Sequence, residues 1–452
     1  MAASVLHEDR YFDPDANIRR VARELYADTR QLPIVAPHGH VDPRIFADNA
    51  PFPEPTSLIV RSDDDVVRML YARGVPLDAL LEGDPRKVWR VFADHSDLFR
   101  GTPTGAWLDY ELHEVFGIEQ RLTAETAGSV YDAIVERLRG PEFLPRALFE
   151  RFGIELLATS VRASDALDCH RAIRESGWKG RVIPCFRPDA VFEIASPGWP
   201  AELEALGREH GAPLVDYAEL VRALEDQRLF FKKMGATATD HAVLEPYTTW
   251  LSGDEPDVLF QQARQGQTSR ADERRFEGHL LMEMARMSLE DGLVMQIHAG
   301  AFRNHNRPLV ERFGPDGGGD VPIAAEFTRN LRPLLNAYGN DPRLTLVLFT
   351  LDESAATREL APLAGSYPAV RLGAAWRCYA SPAGMAMGIP KTVGFTDGTA
   401  AFCSLPGRYD LARRADANCL ARLVARHVIE MEDARGMARA LAYDLAKETY
   451  KL

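Results

Sequence analysis

The strongest constraint on the fold of this chain is a set of eight short apolar segments, each ending in or beside a polar residue. They are residues 33–38, 154–160, 181–187, 236–240, 293–299, 344–350, 370–376 and 392–397, and helical patterns separate them. Near-continuous apolar strands that alternate with helices are typical of a parallel sheet covered on both faces, and eight such units close naturally into a barrel. The sequence therefore predicts an α/β fold, a TIM-like (β/α)8 barrel.

The first two predicted strands are separated by a long region, residues 41–151, that prolines and glycines divide into helical patterns. Within it, the segments VVRMLYARG and SVYDAIVERLRG have the spacing of amphipathic helices. A second stretch, residues 251–290, predicts two helices before the fifth strand. We therefore expect an N-terminal helical extension (1–32), a barrel (33–409) with a helical insertion (41–151), and C-terminal helices packed on the barrel (410–452).

Charge and cysteine usage exclude several classes of protein. The net charge is −13 and the arginines are interspersed with acids, so no basic stripe is available to neutralise nucleic-acid phosphates. No segment approaches the roughly 18 apolar residues needed to span a bilayer, and the N-terminus lacks the apolar core of a secretory signal. The five cysteines show no Cys-x-x-Cys spacing, which argues against disulfides and a thiolate zinc site. We expect a soluble, cytoplasmic protein without nucleic-acid or membrane partners.

Histidines and an aspartate stand at the predicted strand ends, where barrel enzymes place their active sites. His38 and His40 are one residue apart at the end of the first strand, so their side chains point to the same side and suit one divalent cation about 2.1 Å away. An isolated His-x-His can also be a pair of loop histidines bonded to backbone carbonyls. Because His298 and Asp397 end the fifth and eighth strands, we predict one divalent metal on His38, His40, His298 and Asp397.

Other polar residues at the same end are candidates for substrate binding. Arg187 ends the third strand, where its guanidinium could hold a carboxylate in a bidentate fork, although a surface ion pair is the alternative. His241 follows the fourth strand and could equally be a core histidine. In the loop after the fifth strand, Asn304, His305 and Asn306 could hydrogen-bond a polyhydroxylated ligand or cap the next helix, and Arg303 is a further candidate for substrate binding.

Together these motifs resemble the uronate isomerase (glucuronate isomerase) family of the amidohydrolase superfamily. The resemblance rests on PIVAPHGHVDP, VIPCFRPDA, ATATDHAV, MQIHAGAFRNHN, LGAAW and GFTDGTAAF, which cover nearly the whole barrel. It implies a reaction that interconverts an aldose uronate and its ketose, as in D-glucuronate to D-fructuronate or D-galacturonate to D-tagaturonate. It also implies metal ligands at His38, His40 and Asp397, with His298 as an additional ligand or metal-proximal residue, and a substrate contact at Arg187. We further expect catalytic roles for Asp397 and His298, and substrate contacts at Arg303, Asn304, Trp376 and His241.

The chain departs from the pattern of the resembled family at three places. A His-Tyr pair in the insertion is replaced by Asp64 and Asp65, and an arginine after the strand-eight aspartate is replaced near Ala400. The paired acids usual at the second strand are missing from residues 159–162. Carboxylates accept but do not donate hydrogen bonds near pH 7, and they repel an anionic substrate. If the acid run lies at the metal, we expect it to weaken hexuronate isomerisation.

Two other function classes stay open at this point. A metal-dependent hydrolase or carbon-carbon lyase could use the same site, with Asp397 taking a proton from a metal-activated water. A catalytically inactive binding or scaffold protein is the third class. Imidazole and carboxylate ligands favour zinc and also suit manganese or iron. In every enzymatic interpretation we expect a small acidic substrate, and we expect a homo-oligomer.

Overall fold

The eight predicted strands are present in the computed structural model, which describes residues 6–314, 317–374 and 388–452. They form one parallel sheet whose strands neighbour each other in chain order. The strands are β1 Ile34–Ala36, β2 Ile154–Arg162, β3 Val182–Arg187, β4 Ala238–Val243, β5 Val294–Ala299, β6 Leu346–Thr350, β7 Val370–Ala374 and β8 Thr392–Phe395. A short antiparallel pair, Ala301–Phe302 with Val321–Pro322, follows β5.

The two outer strands of the sheet approach each other at their C-terminal ends. There the amide of His40, after β1, donates a hydrogen bond to the carbonyl oxygen of Thr399, after β8, over 3.1 Å. The arrangement agrees with the predicted TIM-like barrel. Because all eight strands run in the same direction, the residues that follow them lie around one mouth.

Helices cover the outside of the sheet and form the predicted insertion. The N-terminal extension contains α1 Ala16–Thr29. The insertion contains α2 Arg44–Asp48, α3 Asp64–Ala72, α4 Leu77–Leu81, α5 Pro85–Asp94, α6 Pro103–Tyr110, α7 Ala127–Leu138 and α8 Pro145–Arg151. The amphipathic helices that the sequence predicted correspond to α3 and α7.

Ten helices of the described residues alternate with the later strands, and three form the tail. Those between strands are α9 Asp168–Glu175, α10 Asp189–Phe192, α11 Trp199–His210, α12 Tyr217–Lys233, α13 Glu255–Arg264, α14 Arg270–Asp291, α15 Arg307–Phe313, α16 Arg332–Tyr338, α17 Glu353–Ala355 and α18 Ala361–Ser366. The tail consists of α19 Leu405–Ala425, α20 Met431–Arg439 and α21 Leu445–Tyr450. Short π-helical turns lie at Thr56–Val60, Glu111–Val115, Ala356–Leu360 and Ala440–Asp444, and 3-10 turns at Ser96–Phe99, Pro141–Phe143, Ile389–Lys391 and Phe402–Ser404. The two helices expected within residues 251–290 are α13 and α14.

Local sequence explains where several helices begin and end. Ser269 and Asp272 form a reciprocal capping box at the start of α14, and Gly292 ends this helix with a left-handed backbone at φ 78°. Pro406 lies in the first turn of α19, where its fixed φ suits a helix start. The helix that opens the tail therefore begins at Leu405, ahead of the expected boundary at residue 410.

The tail also fills the inside of the barrel from the end opposite the mouth. Tyr450 is fully buried among inward-facing residues of the strands, and its hydroxyl donates to Oε1 of Gln296 over 2.7 Å. Leu452 packs against the same interior. The interior apolar residues are Leu156, Ala158, Ile183, Cys185, Ala238, Val294, Val347, Phe349 and Val393. The C-terminus thus supports the floor beneath the side chains at the mouth. No described helix has both the length and the apolar composition to cross a bilayer.

Candidate functional site

Three polar side chains converge at the mouth, and the two-residue alternation of the strands explains why Asp240 is one of them. On β4, Asp240 points inward like Ala238, and His38 and His40 follow β1. One donor atom from each of His38, His40 and Asp240 lies within 4.8 Å of the others, the spacing of ligands around one metal ion. His38 and Asp240 are buried, and His40 is half-buried.

Ring stacking fixes the orientation of the histidines. The ring of His298, on β5, stacks on Phe349 of β6 at a centroid distance of 4.2 Å and on His38 at 4.6 Å. The rings of His38 and His40 meet edge to face at 5.2 Å. Aromatic pairs at these separations are favourable, so the three imidazoles are held in place by β1, β5 and β6.

Burial sets the protonation state of the three histidines. It lowers the pKa of His38, His40 and His298 to about 4, although the nearby carboxylate of Asp240 acts in the opposite direction. Burial would raise the pKa of Asp240, but the three imidazoles and Arg187 outweigh it and hold that pKa below its usual range. At neutral pH the site therefore presents neutral imidazoles around one carboxylate.

The polar atoms of this site match the needs of a divalent metal. Nδ1 of His38, Oδ1 of Asp240 and Nε2 of His298 are buried without a hydrogen-bond partner in the described structure. Nε2 of His298 lies 3.2 Å from Oδ1 of Asp240, but the two are not aligned for a hydrogen bond. Unpaired buried polar atoms are costly, and a cation would satisfy them. His38, His40 and Asp240 can therefore hold a divalent metal.

Asp397, which the sequence predicted as the metal carboxylate, makes different contacts. Its Oδ1 accepts from the amide of Thr399 over 2.8 Å, and its Oδ2 lies 3.5 Å from Nη1 of Arg408 on α19. The structure thus groups Asp240, instead of Asp397, with the two histidines. Asp397 as a metal ligand stays a prediction. A Cβ atom at Gly398 would lie 3.3 Å from Nε2 of His38, so glycine keeps this side of the site open.

The predicted substrate arginine is held at the end of β3. Nε of Arg187 donates to Oδ2 of Asp189 over 2.6 Å, and Oδ1 of Asp189 accepts from the amide of Ala242 over 3.0 Å. Asp189 thus links Arg187 to β4, the strand of Asp240, and the charge of Arg187 helps to lower the pKa of Asp240. Arg187 is therefore brought together with the candidate metal site, as the sequence predicted.

The described structure does not bring the other predicted substrate contacts together with the candidate metal site. His241 is fully buried, and its ring lies 5.9 Å from that of Phe192 on α10. Successive residues of a strand face opposite sides, so His241 points to the helices while Asp240 points to the mouth. Arg303 is exposed in the loop after β5. Asn304 has a left-handed backbone at φ 56°, and its backbone amide donates to Oδ1 of Asp320. Trp376 lies outside the described residues, and substrate contact by these four residues stays a prediction.

The acid run of the insertion lies next to Asp397. Asp63 caps α3, is buried, and accepts from Nη2 of Arg408 over 3.0 Å. Asp65 forms an ion pair with Arg68. Burial raises the pKa of Asp397, and the charge of Asp65 acts in the same direction. Asp63 and Asp65 therefore lie close to Asp397, and the condition set from the sequence, that the acid run lies at the metal, stays a prediction.

Sequence reasoning assigned no role to two residues of this site, although Asp240 stands at the predicted end of the fourth strand. Asp240 stands beside the predicted His241, and counting alternate residues from Ala238 would have selected the aspartate. Arg408 is buried, lies 3.8 Å over the ring of Trp107, and bridges Asp63 to Asp397. It lies on the tail helix, and no short motif in the sequence connects it with either carboxylate.

Comparison with known proteins identifies the family. The glucuronate isomerase family model matches residues 15–450. The chain belongs to the glucuronate isomerase family. A uronate isomerase from Rhizorhabdus wittichii is 51% identical over 459 aligned residues, covering 99% of this chain and 98% of that protein. The crystal structure of glucuronate isomerase from Caulobacter crescentus has a TM-score of 0.95 and 44% identity, with 99% of this chain and 97% of that one covered.

A more distant member of the glucuronate isomerase family shares the same fold over its full length. The uronate isomerase of Thermotoga maritima has a TM-score of 0.89 at 25% identity, covering 98% of this chain and 99% of that one. Membership in this family confirms the resemblance drawn from the sequence. It favours an isomerase over the hydrolase, lyase and scaffold alternatives.

Proposed function

We propose that this chain is a metal-dependent uronate isomerase, which interconverts a hexuronate aldose and its ketose. The pairs are D-glucuronate with D-fructuronate, or D-galacturonate with D-tagaturonate. One observation carries the proposal: His38, His40 and Asp240 converge within 4.8 Å at the mouth where Arg187 lies. A metal site beside a guanidinium suits a substrate with a carbonyl at one end and a carboxylate at the other.

The metal would be held by His38, His40 and Asp240. Neutral imidazoles and a carboxylate suit zinc, which we propose, and also manganese or iron. When bound, the cation supplies a Lewis acid that polarises the substrate carbonyl and the adjacent hydroxyl.

The protein's own groups would move the protons. Isomerisation takes the proton from C2 of the aldose, passes through an enediol, and returns a proton to C1, while the hydroxyl proton of O2 ends on O1. His298 suits the transfer between carbons, because its Nε2 is neutral and unbonded in the described structure and faces Asp240. Arg408 and Thr399 hold Asp397 in place, and Asp397 would line the side of the site opposite His298. The step consumes no oxidant or reductant.

Arg187 would bind the substrate carboxylate, and this gives a kinetic prediction. Arg187→Lys should raise KM for the hexuronate by about tenfold, the equivalent of about 1.4 kcal/mol, because a lysine cannot form the bidentate fork. The effect should fall mainly on KM, since the carboxylate is remote from the reacting carbons. The measurement is steady-state ketose formation.

Arg162→Lys is the matched control for Arg187→Lys. Arg162 pairs with Arg187 in the register of β2 with β3, but its side chain is 74% exposed. We expect unchanged kinetics for this variant. Equal KM values for the Arg187→Lys variant and the parent would remove Arg187 from substrate binding.

The acid run allows a second prediction about this function. The triple variant Asp64→His, Asp65→Tyr and Ala400→Arg restores the groups of the resembled family, adding donors and a cation beside Asp397. We expect faster hexuronate isomerisation than in the parent, since developing negative charge on the substrate oxygens would be better stabilised. A parent with typical enzyme turnover, about 1 to 1,000 per second, and no gain in the variant would show that these acids do not limit the reaction.

We also propose which partners the enzyme has and where in the cell it acts. The substrate is a small acidic molecule, and nucleic acid and membrane are not partners. Cys169, Cys185 and Cys403 are free thiols, which supports a cytoplasmic location. We also propose a homo-oligomer, whose size sedimentation would measure.

A further inference from the structure

A cavity lies at the end of the barrel opposite the mouth. It has a volume of about 710 Å³ and lies between the N-terminal segment, α1, α19 and the residues that precede β2. Ile34, the first residue of β1, and Gly153, just before β2, line it. Because parallel strands end at the mouth, these residues place the cavity at the far end. Its volume is in the range of small-molecule sites, about 300 to 1,000 Å³.

The cavity carries an excess of positive charge. Six arginines line it, Arg10, Arg23, Arg30, Arg151, Arg413 and Arg414, against three acids, Glu8, Glu114 and Asp410. Asp410 pairs with both Arg10 and Arg414, and Asp9, just outside the lining, pairs with Arg23. Six arginines against four acids, with Asp9 included, leave an excess of two positive charges at the cavity.

Three of the guanidinium groups lack an acidic partner in the described structure. No described carboxylate lies within 4.0 Å of the guanidinium nitrogens of Arg30, Arg151 or Arg413. Residues 1–5, Met-Ala-Ala-Ser-Val, bring no side-chain carboxylate. The side chain of Arg151 is bonded to the carbonyl oxygen of Val115 and lies over the ring of Phe143.

Of these three arginines, Arg413 has the greatest need of a compensating negative charge. It is only 7% exposed, and its two Nη atoms donate to the carbonyl oxygens of Arg30, Leu32 and Pro33. Its Nε is buried without a partner in the described structure. Burial lowers the pKa of Arg413, although Tyr409 and the charge of Asp410 act in the opposite direction. A buried cation of this kind favours an anion nearby.

Two tyrosines add hydroxyl groups to the lining. Burial and the charge of Asp410 raise the pKa of Tyr26 and Tyr110 to about 12, so both stay protonated. The hydroxyl of Tyr26 is bonded to Asp410, whereas that of Tyr110 has no hydrogen-bond partner among the described residues. Tyr110 can therefore donate to an oxygen of a ligand.

We propose that this cavity binds a small dianion, a molecule that carries two negative charges on oxygen atoms. Arg30, Arg151 and Tyr110 would contact it, and Arg413 would contribute its field from behind. A hexuronate carries one negative charge, so the substrate of the mouth matches this cavity less well. Phosphate esters and dicarboxylates share the required chemistry, and inorganic phosphate and malonate are the probes that distinguish them.

The test is calorimetric titration of the full-length protein at pH 8, with chloride used to keep ionic strength constant. The His38→Ala, His40→Ala double variant serves as the parent, so that a metal at the mouth cannot bind the probe. We expect one saturable site per chain for phosphate or malonate. Arg30→Gln should weaken binding at least fivefold, and adding Arg151→Gln should remove it.

Arg20→Gln is the matched control, since Arg20 lies on α1, the helix that Arg30 follows, and has a 62% exposed side chain paired to Glu24. It should bind like the parent. Absence of a saturable site for both probes would overturn the proposal, and so would equal affinity in the Arg30 and Arg151 variants, which would place the probe elsewhere. Sedimentation of the same samples would reveal a self-association that covers the cavity and excludes the probe, which also counts against it.

Discussion

The Asp240→Asn variant is expected to lose most of its affinity for a divalent metal, while Asp397→Asn is expected to keep it. Asp240 supplies the only carboxylate grouped with His38 and His40 in the described structure, and asparagine has the same shape without the charge. Residues one shell further from a metal typically change its affinity by about 10- to 100-fold, so a direct ligand should change it at least as much. The measurement is metal per chain after dialysis against a competing chelator.

The double variant His38→Ala, His40→Ala completes this comparison. We expect no bound metal, because two of three ligands are gone. Asp397 makes its contacts to Thr399 and Arg408, so its replacement should act on the geometry of the mouth. The reverse pattern, metal lost in Asp397→Asn and retained in Asp240→Asn, would show that the carboxylates exchange roles when metal binds.

Arg408→Met is expected to lower the free energy of unfolding by about 3 to 5 kcal/mol, the usual cost of removing one partner of a buried ion pair. Arg408 is the cation between Asp63 and Asp397, and its Nε also donates to Ser404. Without it, two buried carboxylates face each other, near a third, Glu111. Denaturant unfolding monitored by circular dichroism measures the change.

The pH dependence of this loss has a definite sign. Burial raises the pKa of Asp63 and Asp397, and Arg408 is the largest influence that lowers them. In the variant both folded-state pKa values should rise further above the unfolded values. A raised pKa destabilises the fold as pH rises through it, so the difference between parent and variant should be large at pH 7 and shrink toward acid pH.

Two controls separate this electrostatic effect from a general effect of replacing an arginine. Arg408→Lys keeps the charge but not the fork, and should lose less stability than Arg408→Met. Arg20→Gln removes an exposed arginine and should change stability by less than about 0.5 kcal/mol. A stability loss in Arg408→Met that does not depend on pH would assign the effect to lost packing on Trp107.

The strands could be predicted because each is a dense apolar run that must be buried on both faces. Even the polar-edged fourth run, residues 236–240, lies within or beside β4. The helix bounds were less certain, since α19 begins at Leu405 through Pro406 and not at the composition change near residue 410. The positions of His38, His40, His298 and Arg187 around the mouth could be predicted from the strand ends, while their roles stay predictions.

What sequence could not supply was the register of side chains and the contacts between distant segments. One residue along β4 separates Asp240, which faces the mouth, from His241, which faces the helices. The bridge from Asp63 through Arg408 to Asp397 joins the insertion, the tail and β8. Such a contact depends on how three segments pack, which no local pattern encodes.

The central claim, metal-dependent isomerisation of a hexuronate at this site, is tested most directly by proton NMR. D-glucuronate and D-galacturonate are incubated in D2O with the parent, with the chelator-treated parent and with Asp240→Asn. We predict that ketose signals appear with the metal-loaded parent for at least one substrate, that they are lost with chelator, and that they return when metal is added back. Asp240→Asn should give none. A metal-loaded parent that forms no ketose from either hexuronate, or a chelated parent that is as active as the loaded one, would contradict the account.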